Sequence, residues 1–416
     1  MKWVERGLIA LLCFPVIGLL WQSLGGLSGQ PLKSAWDFLR AEPAMVQSIV
    51  LTLAIACTSV LLALWVSCWL TFRALRRSPS VRFQSLIVAI PHSAMALGAL
   101  LFLGASGVVV RWGLSLSPEF GLPDYLFPRD RFGLGVLAVL VVKESVFLTL
   151  LAIPLAGRLP LDATWGLADE MGFNAWQGWR MLIWPQLRRL MRAPILVVFA
   201  FSLANIEVAM ILGSDQIPFF AVHMLGWLTD PDPVSQQAGA MAVLGLLSIL
   251  LLLSFAWVSM DRRLVSDVQE PIDAQAMPQA LFSSLGAVLV FGCMVSLFLW
   301  SIAGSWSVRE AWPSVTTTSL SRVALSAEVW LTTAGLGLVV ATLAVVLAVI
   351  WLECMAQHRQ TRLSWVWWGF LWLPSLPMSA GLLGWLYVFG IDPGFGAVIF
   401  GHLLVALPYV LDVLSD

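Results

Sequence analysis

Apolar runs about 20 residues long recur along the whole chain, and "MAVLGLLSILLLLSFAWVSM" at 241–260 is typical of them. A hydrocarbon core ~30 Å thick is crossed by about 20 mostly apolar residues when they are helical. No water is available there to pair backbone N–H and C=O groups. An open strand would leave them unsatisfied, so each such run must be a helix. Composition agrees: 59% of the 416 residues are hydrophobic, 11% are charged, and mean hydropathy is +0.88. A soluble domain carries about 25% charged residues. The expected fold class is therefore all-α, a polytopic transmembrane helix bundle.

Spans are expected near 7–27, 46–72, 84–108, 133–157, 193–213, 238–260, 279–303, 326–352, 365–390 and 394–414. The N-terminal stretch "MKWVERGLIALLCFPVIGLLW" has a basic flank but no clean small-residue cleavage site, which reads as a retained first helix. Lysine and arginine in the connections set the orientation. With the N-terminus in the cytoplasm, inside segments hold fifteen basic residues and outside segments seven. A net charge of −1 gives no electrostatic reason to expect nucleic acid as a partner. The five cysteines are scattered without CxxC spacing, so they read as small buried hydrophobes and no metal site is expected. Most of the 22 tryptophans fall near span ends, as an interfacial belt requires.

The polar connection 261–278 divides the chain into a first half, 1–260, and a second, 279–416. "IVAIPHSAMALGALLFL" (87–103) aligns with "FLWLPSLPMSAGLLGWL" (370–386), setting Pro91 over Pro374, Met95 over Met378 and Gly98 over Gly381. The preceding apolar spans, 48–72 and 329–353, also correspond. Six spans separate the copies, so both start on the same side and the duplication is parallel, unlike the inverted repeats of many secondary transporters. The first half then holds about six spans. The second is expected to be incomplete, with about four, since the span at 394–414 reaches the last residue.

One stretch breaks the apolar rule. "ADEMGFNAWQGWRMLIWPQL" (168–187) is too polar to span and too apolar for a plain solvated loop. Between Pro160 and Pro185 a short helix is predicted, with Leu167, Met171, Ala175, Trp179 and Leu182 forming an apolar stripe. Asp169, Glu170, Gln177 and Arg180 lie mainly away from that stripe. The simpler reading is an interfacial helix lying on lipid. Glycines at 166, 172 and 178 argue for more, because each weakens a helix by ~1 kcal/mol relative to alanine. They suit a turn or a close backbone approach.

The spacing of Ala168, Gly172, Leu182 and Pro185 resembles the cytoplasmic "EAA---G---------I-LP" loop of ABC importer permeases. Ala168 matches the second alanine, Gly172 the glycine, Leu182 the isoleucine position and Pro185 the proline. Gly166 and Leu167 stand where that motif has its glutamate and first alanine, so Asp169 or Glu170 would have to supply the carboxylate. The segment 195–213 is similar to the helix that follows the loop in that family, and the paired halves resemble fused permeases of the thiamine and ferric-iron type. The resemblance implies a bacterial inner-membrane subunit that forms the solute path. It further implies that the loop docks as a coupling helix on separate cytoplasmic ATPase subunits, a homodimer, and that an extracytoplasmic binding protein delivers the solute. ATP would be bound by the partner, since no G-x-x-x-x-G-K-[ST] occurs here. No enzymatic site is expected in the chain itself.

Lys143 and Glu144 lie within a span, and Glu207 lies in the apolar segment after the polar stretch. Ionisable groups in the bilayer are costly unless paired or facing water, which makes them candidates for the translocation path. A structural ion pair with another helix is the alternative for Lys143 and Glu144, and a bond to a neighbouring helix for Glu207. His92, after Pro91, reads as a packing residue. The same intramembrane charges support a second possibility, a carrier driven by an ion gradient. A third is a degenerate permease kept as a scaffold.

Overall fold

The computed structural model describes residues 2–25, 31–77, 81–117, 119, 127–264, 277–356, 375–392 and 394–415. Among these residues the secondary structure is helical, and the one β feature is an isolated bridge between Ala303 and Val315. Among the described residues six helices are long and apolar enough to cross a membrane: Met45–Arg76, His92–Leu116, Leu134–Ala156, Pro233–Met260, Leu281–Ser301 and Ala327–Cys354. Shorter apolar helices occupy Cys13–Ser23, Arg192–Leu203, Phe220–Thr229, Leu376–Val388 and Phe395–Leu411. Most of the connection 261–278 and the first part of the expected span 365–390 lie outside the described residues.

Two compact units form, and they interleave the sequence. The first comprises Met1–Met45, Phe220–Leu252 and Arg322–Asp416. It contains α1 (Lys2–Ser23), α2 (Leu32–Ala41), α13 (Phe220–Thr229), the first part of α14 (Pro233–Leu264), α17 (Ala327–Ala356), α18 (Ser375–Val388) and α19 (Phe395–Ser415). Here α17 packs on α19 around Ala348, Trp351, Leu407 and Leu411. The other main pairing is α1 on α18. Gly381 lies so close to α1 that a Cβ there would sit 1.7 Å from the Pro15 carbonyl oxygen. Only glycine fits that crossing.

The second unit comprises Val46–Phe219 and Leu253–Ser321. It holds α3 (Met45–Arg77), α4 (Val81–Ala89), α5 (His92–Leu103), α6 (Val108–Leu116) and α7 (Leu134–Ala156). It continues through α8 (Leu161–Glu170), α9 (Ala175–Gly178), α10 (Trp184–Leu190), α11 (Arg192–Leu203), α12 (Glu207–Leu212) and α15 (Met277–Ser301). Along the sequence the division between the units falls within α16 (Thr318–Leu325). A second close crossing at a glycine is here: a Cβ on Gly98 of α5 would meet the Cβ of Cys293 on α15 at 2.7 Å. The two aligned methionines, Met95 and Met378, are both buried.

Two expected spans are interrupted. The span at 84–108 is divided at Ile90 and Pro91 into α4 and α5, because proline has no N–H to continue the ladder. The span at 193–213 breaks at 204–206. The buried Asn205 accepts the Val208 N–H through its Oδ1 at 2.9 Å and so starts α12, the competition that asparagine offers a helix interior.

Candidate functional site

The polar stretch is a helical hairpin, and the single helix expected between Pro160 and Pro185 is corrected accordingly. α8 ends because Gly172 adopts φ +73°, a left-handed conformation that glycine enters without a Cβ penalty. The Phe173 N–H donates to the Ala168 carbonyl and the Gly172 N–H to the Asp169 carbonyl, both at 3.0 Å. This pair of bonds is a Schellman stop, which satisfies carbonyls the helix end would orphan. Asn174 then opens α9 with a capping box: its side chain accepts the Gln177 N–H, and Gln177 Oε1 accepts the Asn174 N–H, each at 2.9 Å.

After the turn α9 folds back on α8. A Cβ on Gly178 would lie 2.7 Å from the Cβ of Ala168, which is itself buried. The two small residues therefore set how closely the arms approach. A π-turn at Trp179–Ile183 follows, with the Trp184 N–H bonded to the Trp179 carbonyl. The wider turn comes just before Pro185, whose ring would otherwise press on the carbonyl of Met181.

Aromatic side chains fasten this arm to α3. Trp179 is fully buried and donates its indole N–H to the Cys68 carbonyl at 3.0 Å. Trp176 meets Trp69 and Phe72 with ring centroids 5.6 and 5.1 Å apart. Arg76, near the end of α3, lies over the Trp165 ring of α8. The stripe that packs is thus Ala168, Trp176, Trp179, Ile183 and Leu187. Leu167 and Met171, expected within the apolar stripe, are instead 49% and 51% exposed. The continuous register fails because the Gly172 turn resets the helical phase. Asp169 and Glu170 are exposed, Leu182 and Pro185 half-buried. Gly166 and Gly172 face open space. One face of α8, carrying Ala163, Gly166, Leu167 and Glu170, is left uncovered by the described residues of the unit.

The intramembrane charges form a second, separate arrangement. Lys143 is 3% exposed, and its Nζ donates to the carbonyls of Ile87 at 2.9 Å, Val88 at 3.0 Å and Ile90. These are carbonyls at the end of α4, where Pro91 supplies no donor. An ammonium has three donors and no acceptor, so this group is fully used there. The negative end of the α4 dipole adds to the attraction. Glu144, also buried, bonds to His92 Nε2 through Oε1 at 3.2 Å, and the His92 ring lies against Phe201. Glu207 is exposed at the first position of α12 and makes no hydrogen bond or ion pair with Lys143 or Glu144 among the described residues. Among those residues no cluster of His, Cys, Asp and Glu is arranged to hold a metal.

Sequence reasoning missed the Asn174–Gln177 box and Trp176, whereas Trp179, expected in the apolar stripe, is fully buried. The signal for the box was present, as Gly172 followed by Asn174 and then Gln177 is a stop and a start in succession. Nothing local pointed to the Lys143 contacts, which depend on where α4 ends in space.

The chain is 30% identical over 399 residues to the inner membrane ABC transporter permease protein YnjC of Escherichia coli (strain K12). That similarity spans 91% of this chain and 70% of the relative. No family model and no solved structure matches the chain.

Proposed function

The chain belongs to the inner-membrane ABC transporter permeases, and on that premise we propose that its α8–α9 hairpin is the element that couples solute passage to ATP hydrolysis. It is a multi-pass membrane protein and a permease subunit of an ABC transporter. Our finer reading is an importer, with the solute delivered by an extracytoplasmic binding protein. The N-terminus and the hairpin face the cytoplasm, where two identical ATPase chains bind the nucleotide.

One observation carries the reading: a rigid, internally capped hairpin presents an uncovered face of α8 while its other arm is clamped to α3 by Trp176 and Trp179. A push on that face would be transmitted to the end of α3. The spacing that resembles the importer loop also has a mechanical sense. Ala168 supplies the close crossing, Gly172 the left-handed turn and Pro185 the end of the π-turn. Gly166 leaves the face without the motif's carboxylate. Glu170, four residues on and on the same face, offers a replacement.

The paired crossings support a duplicated module. Gly98 in the first half receives α15, the first helix of the second half, and Gly381 in the second half receives α1. An ion-gradient carrier has less to stand on, because Lys143 is consumed by the end of α4.

The test is co-purification of the full chain with candidate ATPase subunits. Leu167→Asp is expected to abolish the complex while leaving thermal stability unchanged, since the side chain is half exposed. Uptake driven by protons or sodium with no associated ATPase would overturn the proposal.

A further inference from the structure

A groove of about 550 Å³ in the second unit is walled by α3, α4, α7 and the N-terminal part of α15. One face of α7 lines it from Leu134 to Val146, a run of about 18 Å at 1.5 Å per residue. That is close to the depth of one leaflet, half of a core ~30 Å thick. Leu70, Ile87, Val142 and Phe282 keep the walls apolar. At the end nearest the α3–α4 connection the character changes, because Arg73 and Gln84 line it. Among the described residues Gln84 buries its Oε1 there without a hydrogen-bond partner, and no carboxylate lines the groove.

A buried acceptor without a donor costs ~1–3 kcal/mol. A polar solute gains nothing from the apolar walls, and an acyl chain alone would leave Gln84 and Arg73 unmatched. We propose that the groove holds an anionic phospholipid with a hydroxyl-bearing headgroup. One acyl chain lies along α7, the phosphate meets Arg73, and a headgroup hydroxyl donates to Gln84 Oε1. Basic pockets between transmembrane helices recognise anionic headgroups in this way.

The experiment is native mass spectrometry of the full chain in mild detergent. It is run with phosphatidylglycerol, with phosphatidylcholine, and with phosphatidylglycerol plus inorganic phosphate. One phosphatidylglycerol per chain is expected to be retained in preference to phosphatidylcholine. Arg73→Gln should weaken that preference about fivefold or more, the worth of one interfacial arginine. Ala138→Phe, which fills the groove, should remove retention of either lipid. The exposed Arg189→Gln should change nothing. Equal retention of phosphatidylcholine, or a preference untouched by Arg73→Gln, overturns the headgroup assignment. Displacement by inorganic phosphate makes this a phosphate site and overturns the lipid.

Discussion

Two helix interruptions in the second unit solve the same problem by opposite means. At 171–174 the chain turns in the open and satisfies its backbone locally, through Gly172, Phe173 and the Asn174–Gln177 box. At 90–91 the interruption lies within the bundle, and the freed carbonyls are taken by Lys143, more than fifty residues away in sequence. A surface turn can be written into a few consecutive residues. A break in the bilayer has no water to fall back on and needs a donor from another helix. The first interruption should therefore be weakly coupled to the rest of the protein and the second strongly.

The sharpest way to break that comparison is Lys143→Met. It keeps the bulk of the side chain but leaves several buried carbonyls without donors, and unpaired buried groups cost ~1–3 kcal/mol each. The expected loss is about 3 kcal/mol or more, read as a fall in the thermal midpoint in detergent. Lys143→Arg should recover part of it. A midpoint unchanged in Lys143→Met would show that the α4 end is satisfied otherwise.

Next in size is Gly178→Ala, whose new methyl would lie 2.7 Å from the Ala168 Cβ. Overpacking of this kind costs ~1–3 kcal/mol. Combining it with Ala168→Gly exchanges the two small residues across the crossing. The double variant should return close to the parent, with a coupling energy of about 1 kcal/mol or more. Additive losses in that cycle would mean that the arms do not touch at these positions.

The contrast also governs what the sequence could reveal. The helical class, the six long apolar helices among the described residues and the exceptional nature of 168–187 follow from hydropathy and charge alone, since the bilayer permits few alternatives. A 3.6-residue period carried straight through Gly172 predicts one helix, whereas the glycine and the Asn174–Gln177 pair encode a stop and a start. The local rule should have outranked the period. Lys143 and His92 were different. Their partners, the end of α4 and Glu144, are set by packing between α4, α5 and α7, and no spacing in the sequence encodes it. The uncovered face of α8 was equally hidden, because which side of a short helix packs depends on the return arm.

The smallest effects belong to the hairpin's own stops, and they test whether it is as self-contained as its bonds suggest. Gly172→Ala meets no neighbour, so its whole effect is the left-handed backbone, about 1 kcal/mol. Gly172→Asn should cost less, since asparagine tolerates that conformation. Asn174→Ala removes one cap, again about 1 kcal/mol or a little under. It should raise amide exchange at Gln177 and its neighbours while leaving the exchange of α7 unchanged. Confinement of the effect to 172–178 is the expected outcome. If exchange rose in α3 as well, the clamp made by Trp176 and Trp179 would depend on the turn and not on the aromatic contacts alone.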